Sequence, residues 1–253
     1  MVAFNRYGAI AAEIYDIDKP VGALPDTALY LARLAGLDGP VLEPACGSGR
    51  TLLPLLQAGL NATGFDTSPN MLDRCRDRCA SAGFAPDLSR QSFDDFTYDQ
   101  RFAAIVVPIA SFTLVDTFDA ALAALRRFHH HLQPGGRLLV DIQPLAFLAS
   151  QSVDRRRWTN AAGEQLTCEG VRVATDWFTQ RAETDYRYER WQDGCLIETQ
   201  RDPMAQRYWG VEEFRLALAA TGFSEIAAIG SYDASRPPRP TDRILTFDAV
   251  RDG

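Results

Sequence analysis

Two glycines and two carboxylates in the first third of the chain have the residue types and spacing of a nucleoside site. Glu43 ends an apolar run, Gly47 and Gly49 follow, and Asp66 comes one helix length later. Glycine has no Cβ atom, so such a turn can be tight and a ligand can approach the backbone closely. A carboxylate that ends the next strand can accept two hydrogen bonds from a ribose diol. The spacing therefore predicts a site for a nucleoside-bearing ligand.

The glycine pair differs from two well-known phosphate-binding loops. Leu52 stands where a dinucleotide-binding turn would have its third glycine, and no Gly-Lys-Ser/Thr follows. Together with Glu43, the segment instead resembles motif I of class I S-adenosylmethionine-dependent methyltransferases. The resemblance extends over roughly residues 7–145 and 207–250. Asp66–Leu72 resembles the family's ribose-binding acid with its helix, and Phe102–Pro108 resembles strand four. His131–Leu139 resembles the turn into strand five, and Glu212–Phe223 resembles the last helix.

The resemblance implies S-adenosylmethionine as the cofactor and assigns roles to residues. Glu43 would reach the methionine amine and Asp66 the ribose. In related sequences an acid followed by a hydrophobic residue holds the adenine after strand three. Here Ser92 and Phe93 occupy those positions, and Asp94 replaces the acid only if the alignment with the family is shifted. The complete predicted cofactor site is Tyr15, Glu43, Ala45, Cys46, Gly47, Gly49, Asp66, Thr67, Met71, Ser92, Phe93 and Pro108.

The methyl acceptor should bind beyond the carboxyl ends of the strands, where doubly wound sheets hold their ligands. The candidate catalytic residues at this edge, or in segments that could cover it, are Tyr15, Ser111, Asp141, Gln143 and Tyr208. Two of them have an alternative interpretation: Ser111 as a turn hydroxyl and Tyr15 as part of an apolar helix face. The aromatic residues between 165 and 209 either line an acceptor pocket or form one face of a sheet.

The three consecutive histidines, 129–131, do not predict a metal site. Successive residues of an α-helix point about 100° apart, so three of them cannot converge on one ion. They also end the helix before strand five, which places them at the edge opposite the cofactor turn. Cys75 and Cys79, four apart on a helix, are typical of packing residues. We therefore expect no metal and no histidine in the chemistry.

Alternating strand and helix signals predict the scaffold that positions these residues. The pattern is that of an α/β protein with a doubly wound, mostly parallel seven-stranded sheet, in a single domain over residues 1–253. Residues 1–36 are predicted to form an N-terminal helical cap. The predicted strands are Val41–Ala45, Ala62–Asp66, Leu88–Phe93, Ala103–Val107, Arg137–Gln143, Ile226–Ile229 and Ile244–Phe247.

The segment 165–209 interrupts this alternation. It contains short runs of period two, and Asp193-Gly194 is a strong hairpin signal. We therefore predict an antiparallel β insertion between strands five and six. The basic run Arg155–Arg157 just before it is interpreted as a solvated loop, with contact to an anionic substrate as the alternative.

Composition narrows the function classes. A net charge of −7 disfavours a general nucleic-acid binder, and no apolar run approaches the 18 residues of a membrane span. Five cysteines at unrelated spacings argue against a disulfide framework and favour a reducing cytoplasm. The first residues also lack the apolar core of a secretory signal. The sequence leaves a homodimer open.

Together these features predict an S-adenosylmethionine-dependent methyltransferase that acts on a small-molecule metabolite, at nitrogen or oxygen. The N-terminal segment and the insertion resemble those of bacterial enzymes of secondary metabolism. One alternative is a non-enzymatic S-adenosylmethionine-binding or interaction protein. A second alternative, an NAD oxidoreductase, would need a complete glycine fingerprint and a Tyr-x-x-x-Lys pair, whereas Lys19 is the only lysine.

Overall fold

The computed structural model describes residues 6–149 and 153–252. A seven-stranded sheet has the strand order β10 (Phe223–Gly230), β11 (Leu245–Arg251), β5 (Leu132–Ile142), β4 (Phe102–Val107), β1 (Val41–Pro44), β2 (Ala62–Asp66) and β3 (Leu88–Arg90). A four-stranded sheet has the order β6 (Asp154–Thr159), β7 (Gln165–Asp176), β8 (Arg181–Gln192) and β9 (Cys195–Arg207). In the larger sheet β1 to β5 are parallel, and β11 is antiparallel to both of its neighbours, β5 and β10. The predicted mostly parallel doubly wound sheet with an antiparallel insertion is confirmed.

The elements of the larger sheet follow the predicted order. Its strands are β1 Val41–Pro44, β2 Ala62–Asp66, β3 Leu88–Arg90, β4 Phe102–Val107, β5 Leu132–Ile142, β10 Phe223–Gly230 and β11 Leu245–Arg251. The helices are α1 Ala9–Asp18, α2 Asp26–Leu34, α3 Leu52–Gln57, α4 Pro69–Ser81, α5 Phe118–His131 and α6 Val211–Ala220. All residues of β1 and β4 are buried, as expected for strands covered on both faces.

Two helices of the larger sheet, α4 and α5, begin with a side-chain cap. The hydroxyl of Ser68 accepts a hydrogen bond from the amide of Met71, and Pro69 takes the first position of α4. Thr117 caps α5 in the same way through the amide of Ala120. These bonds satisfy amides that the helix itself leaves free. Because α4 begins directly after β2, its cap fixes the direction in which the chain leaves Asp66.

The insertion differs from its prediction at both ends. It contains β6 Asp154–Thr159, β7 Gln165–Asp176, β8 Arg181–Gln192 and β9 Cys195–Arg207. Arg155–Arg157 lie in β6 and pair with β7, so the predicted loop there is wrong. The predicted hairpin at Asp193-Gly194 does join β8 to β9. After the hairpin, β9 is one strand from Cys195 to Arg207, with a single register shift against β8 at Arg190–Trp191.

The insertion leaves and rejoins the larger sheet at one point. Pro144, just after β5, forms a parallel bridge with Trp209 at the end of the insertion. The amide of Leu145 donates to the carbonyl of Trp209 at 2.9 Å. The four-stranded sheet is therefore an insertion that begins and ends at the carboxyl end of β5. Within the described ranges no helix is long and apolar enough to cross a membrane.

Helix α1 lies between the two sheets. Its apolar face, Ile10, Ala11 and Ile14, packs against residues of β7 and β8, including Leu166 and Tyr188. Asp16 on the opposite side accepts hydrogen bonds from Ser48, Arg74 and Arg78. Helix α1 thus connects the insertion to the turn after β1 and to α4.

Candidate active site

The turn after β1 has the backbone geometry of a tight ligand-binding loop. Ala45, Gly47 and Gly49 have φ values of 54°, 55° and 79°, in the left-handed region that disfavours side chains with a Cβ atom. A Cβ atom on Gly49 would also lie 2.7 Å from the sulfur of Cys75. Glycine is therefore required at position 49 both by the backbone conformation and by the close packing of α4.

Asp66, at the end of β2, is held in a fixed orientation. Its two carboxylate oxygens accept hydrogen bonds from the amides of Gly47, at 2.9 Å, and Ser68, at 2.8 Å. Burial raises the pKa of this carboxyl, and the two amides act in the opposite direction. The carboxylate borders a cavity of about 690 Å³. This is the arrangement expected of an acceptor for a ribose diol.

Glu43 is a buried carboxylate with an unused oxygen. Its side chain is 1 % exposed, and among the described residues its Oε2 has no hydrogen-bond partner. Burial raises its pKa strongly, the neighbouring Cys75 thiol adds to the rise, and the charge of Arg50 opposes it. A buried polar atom without a partner is costly. A cationic amine of a ligand would remove this cost, so the residue fits the methionine end of S-adenosylmethionine.

The 690 Å³ cavity, which we call the cofactor cleft, is bordered by part of the predicted set. Five predicted residues line it, namely Ala45, Asp66, Thr67, Ser92 and Phe93. Six others do not line it: Glu43, Cys46, Gly47, Gly49, Met71 and Pro108. Among these, the amide of Gly47 donates to Asp66, and Met71 and Cys46 are buried. Tyr15 borders a second cavity instead.

Strand β3 ends at Arg90, earlier than predicted, and the residues after it form the end of the cleft. The hydroxyl of Ser92 donates to Asp95 at 2.8 Å and accepts from the amide of Asp94 at 3.2 Å. Ser92 is therefore engaged in a local turn. The exposed Asp94 lines the cleft and stands two residues beyond Ser92, which occupies the position of the family's acid. Phe93 borders the cleft with its ring edge-on to Phe65, 6.2 Å between centroids.

Tyr7 is fixed between the two sheets by backbone contacts. Its amide donates to Asp202 on β9 at 2.6 Å, and its carbonyl accepts from the hydroxyl of Ser68 at 2.7 Å. Its φ of 46° lies in the left-handed region. Tyr7 lines the cofactor cleft and the second cavity alike. Sequence reasoning missed Asp202, since nothing in the sequence shows that an insertion residue holds the N-terminal segment.

The second cavity, of about 510 Å³, lies beneath the insertion, and we call it the acceptor cavity. Four of the five candidate catalytic residues line it, namely Tyr15, Ser111, Gln143 and Tyr208. The first comes from α1, the next two from loops after β4 and β5, and the last from the end of the insertion. The cavity also borders Tyr186 and Tyr188, so the aromatic residues of the insertion line a pocket as well as forming a sheet face.

Asp141, the fifth candidate, is absent from the described walls of both cavities and fully buried. Its carboxylate accepts from the hydroxyls of Tyr30, Tyr232 and Thr246, at 2.5, 2.8 and 2.6 Å, and from the amide of Ile109 at 2.8 Å. Burial raises its pKa to about 6, and these bonds oppose the rise. In this structure Asp141 therefore holds the loop after β4 through the amide of Ile109, and its part in catalysis stays a prediction.

That loop forms one wall of the acceptor cavity. Ile109 and Ala110 both have positive φ, 49° and 55°, a conformation that costs energy in residues other than glycine. The bond from Ile109 to Asp141 holds it. The hydroxyl of Ser111 donates to the carbonyl of Pro108 at 2.9 Å, which satisfies the turn interpretation of Ser111 while the residue still borders the cavity.

The histidines lie where the sequence places them, at the end of α5. His131 Nδ1 is 2.8 Å from the carbonyl of Arg127, and its Nε2 accepts from the amide of Tyr98 at 3.3 Å. Burial lowers its pKa. Within residues 6–149 and 153–252, no histidine borders either cavity and no group of metal-ligating side chains is found.

A buried ion pair beside the cleft was missed by sequence reasoning. Arg50, 2 % exposed, donates two hydrogen bonds to Asp26, which is fully buried at the start of α2. Burial raises the pKa of Tyr15, and the charge of Arg50 opposes this rise. The pair ties α2 to the turn after β1. Arg50 directly follows Gly49, and its buried partner belongs to an element that precedes the motif.

Comparisons with known proteins agree with this geometry. The family model described as a methyltransferase domain matches residues 41–136. A putative methyltransferase, YqeM of Bacillus subtilis, is 24% identical over 218 residues, which is 82% of each chain. An N,N-dimethyltransferase of Streptomyces venezuelae, named for dTDP-3-amino-3,4,6-trideoxy-alpha-D-glucopyranose, is 30% identical over 101 residues, 40% of this chain and 41% of its own.

A solved structure shares the fold over the whole chain. The sugar N-methyltransferase KedS8 of Streptoalloteichus aligns with a TM-score of 0.78 at 17% identity, covering 100% of this chain and 95% of its own. The alignment spans both sheets, and the family match covers the segment that builds the cofactor cleft. Residues 41–136 therefore match a methyltransferase domain, and the match together with the shared fold supports a class I S-adenosylmethionine-dependent methyltransferase.

Proposed function

We propose that this enzyme transfers the methyl group of S-adenosylmethionine to an amine of a small molecule bound in the acceptor cavity. The observation that carries the proposal is the contact between the two cavities, which share Tyr7 and Leu114 as lining residues. A cofactor in one cavity and an acceptor in the other would meet at this junction. Such alignment of reactants supplies much of the barrier reduction when the reacting group is already activated.

Different residues at and near the cofactor cleft would bind different parts of the cofactor. Glu43 would accept a hydrogen bond from the methionine ammonium and Asp66 two from the ribose. Phe93 would cover the adenine, and Asp94 offers its carboxylate to the adenine amino group. The bound cofactor supplies an activated sulfonium methyl group. The protein contributes orientation and the exclusion of water.

The groups that line the acceptor cavity favour nitrogen over oxygen as the acceptor atom. Burial raises the pKa of every tyrosine there, Tyr7, Tyr15, Tyr186, Tyr188 and Tyr208. The carboxylates of Asp18 and Asp154 both pair with Arg156. Among the described residues no histidine or cysteine borders the cavity. A hydroxyl acceptor would need a base to remove its proton, whereas a neutral amine attacks through its lone pair and releases its proton to water.

Relatives suggest which amines to try first. The Streptomyces relative and the Streptoalloteichus structure are both named for methylation of sugar nitrogen. A cavity of about 510 Å³ accommodates a molecule of that size. We therefore propose amino sugars of secondary metabolism as the first methyl acceptors to test.

The test is release of S-adenosylhomocysteine from a panel of primary and secondary amines, with matched alcohols as controls. Amino sugars should support turnover, and the corresponding neutral sugars that have a hydroxyl in place of the amine should not. Mass spectrometry of the product should show the added methyl on nitrogen. Turnover with the alcohols alone would contradict the assignment to nitrogen.

We also propose a cytoplasmic location and a homodimer. A cytoplasmic location, without membrane or nucleic-acid partners, is supported by five unpaired cysteines, four of them buried, and by the net charge of −7. A homodimer is supported by the exposed Trp177 and Phe178 at the tip of the β7–β8 hairpin. Sedimentation analysis of the purified protein would decide between monomer and dimer.

A further inference from the structure

The acceptor cavity carries more positive than negative charge although the whole chain is acidic. Four cationic side chains and two carboxylates line it, namely Lys19, Arg156, Arg172 and Arg243 against Asp18 and Asp154. The two carboxylates are already paired. Asp18 lies 3.0 Å from the ammonium of Lys19 and 2.7 Å from the guanidinium of Arg156, and Asp154 lies 2.9 Å from Arg156.

The two remaining arginines have no carboxylate within ion-pair distance among residues 6–149 and 153–252. Arg172 donates to the hydroxyl of Tyr208 at 3.0 Å and to the carbonyl of Leu148 at 3.4 Å. The guanidinium of Arg243 lies 5.4 Å from the ring centre of Phe147. Phe147 and Leu148 are consecutive residues of one 3-10 turn, Leu145–Ala149. The two guanidiniums therefore approach the same turn from different elements.

The acid next to Arg243 in the chain cannot neutralise it. Asp242 is buried and accepts hydrogen bonds from Arg236, from the hydroxyl of Ser231 at 2.7 Å and from the amide of Arg239 at 2.6 Å. The bonds from Arg236 are the largest reason that the pKa of Asp242 is low. These hydrogen bonds fix the loop before β11, and the guanidinium of Arg243 borders the cavity without pairing with Asp242.

We propose that Arg172 and Arg243 bind a phosphate or diphosphate group of the methyl acceptor. Two guanidiniums without carboxylate partners match an anion of about two charges, and their planar donors suit phosphate oxygens. A single carboxylate would compensate only one of them. The inference rests on the proposed function, since the phosphate-bearing molecule is the one whose amine is methylated. It makes the enzyme selective for phosphorylated amines over neutral ones.

A binding experiment tests the arginines without any methyl transfer. Inorganic pyrophosphate is titrated calorimetrically into the full-length protein at low salt, with acetate in parallel. The wild-type protein should bind pyrophosphate at least tenfold more tightly than acetate. Arg172→Gln and Arg243→Gln should each weaken pyrophosphate binding at least tenfold. Arg157→Gln, which removes the same charge from the outer part of the insertion, should leave it unchanged, and equal losses in all three variants would overturn the proposal.

A turnover experiment then compares glucosamine with glucosamine 1-phosphate. The phosphorylated amine should have a kcat/KM at least tenfold higher, and the Arg172→Gln/Arg243→Gln double variant should remove this preference with S-adenosylmethionine affinity unchanged. Equal kcat/KM for the two amines in the wild-type enzyme would overturn the inference and leave the proposed function standing. Failure with every amine would count against the proposed function, while the pyrophosphate titration still decides the arginine site.

Discussion

The cofactor cleft and the acceptor cavity are adjacent but built in different ways. Asp66 and the turn at 45–49 are oriented largely by backbone amides and by left-handed backbone conformations within one short stretch of chain. The acceptor cavity takes its walls from α1, the loops after β4 and β5, the insertion and the loop before β11. Local sequence therefore determines the first site, and tertiary packing determines the second.

This difference explains why the chemistry of the cofactor is easier to infer than that of the acceptor. A glycine at a positive φ or a carboxylate at a strand end has a geometric meaning that sequence spacing preserves. Arg172 and Arg243 are 71 positions apart in the chain (243 − 172), and the packing of the insertion and of the loop before β11 brings them to one turn. No periodicity in the sequence signals that meeting.

The largest expected effect concerns the one place where the cofactor turn depends on a distant element. Arg50→Met leaves the fully buried Asp26 without its cation, and removal of one member of a buried pair costs about 3–5 kcal/mol. The free energy of unfolding from urea titration should fall by that amount. The exposed pair of Arg76 and Asp73 provides the control, since Arg76→Met should cost under about 0.5 kcal/mol. Similar losses of unfolding free energy in both variants would show that the turn does not depend on the ion pair with α2.

The next effect concerns binding. Asp66→Ala removes a charged acceptor from the cofactor cleft, so S-adenosylmethionine affinity should fall by about 1.5–3 kcal/mol, one to two powers of ten. Calorimetry measures this directly. Asp73→Ala, a change of the same type on the exposed face of α4, should leave the affinity unchanged. An unaltered affinity in folded Asp66→Ala protein would remove Asp66 from the ribose site.

The acceptor side should respond differently to a comparable change. Tyr208→Phe removes a hydroxyl that accepts from Arg172 at 3.0 Å and donates to Gln206 at 3.3 Å. One such hydrogen bond contributes about 0.5–1.5 kcal/mol, so the KM of the acceptor should rise roughly threefold to tenfold while cofactor affinity stays the same. Steady-state kinetics with each substrate varied in turn separates the two. A loss of cofactor affinity would mean that the insertion belongs to both sites.

The sequence predicted the sheet, the cofactor turn and the position of Asp66 because each depends on local pattern. It was less informative where packing decides. Asp141 has the alternation of a strand residue that reaches the functional edge, yet three hydroxyls from α2, β11 and the loop after β10 enclose it. Arg155–Arg157 have the charge of a loop, and pairing with β7 makes them a strand. The contact of Asp202 with the N-terminal segment depends on a fold that no single segment encodes.

The smallest expected effect tests whether both sites lie at one edge of the sheet. His129, His130 and His131 end α5, and β5 begins at the next residue, Leu132, so their imidazoles are at the opposite edge from the turn after β1. A general base must come within hydrogen-bond reach of the proton that it removes. Replacing all three by glutamine should therefore leave kcat/KM within a few-fold, once it is corrected for the folded fraction.

That correction matters because His131 bonds to Arg127 and Tyr98, so the triple variant should unfold at a lower urea concentration. His130→Gln alone is the matched control, since His130 is exposed and its replacement should leave both stability and turnover near wild type. A loss of turnover beyond about a hundredfold in folded triple variant, roughly 2.7 kcal/mol of transition-state stabilisation, would place a histidine in the reaction. Such a result would require the chemistry, or the acceptor, to reach the amino-terminal edge of β5, and the separation between a functional and a structural edge would no longer hold for this chain.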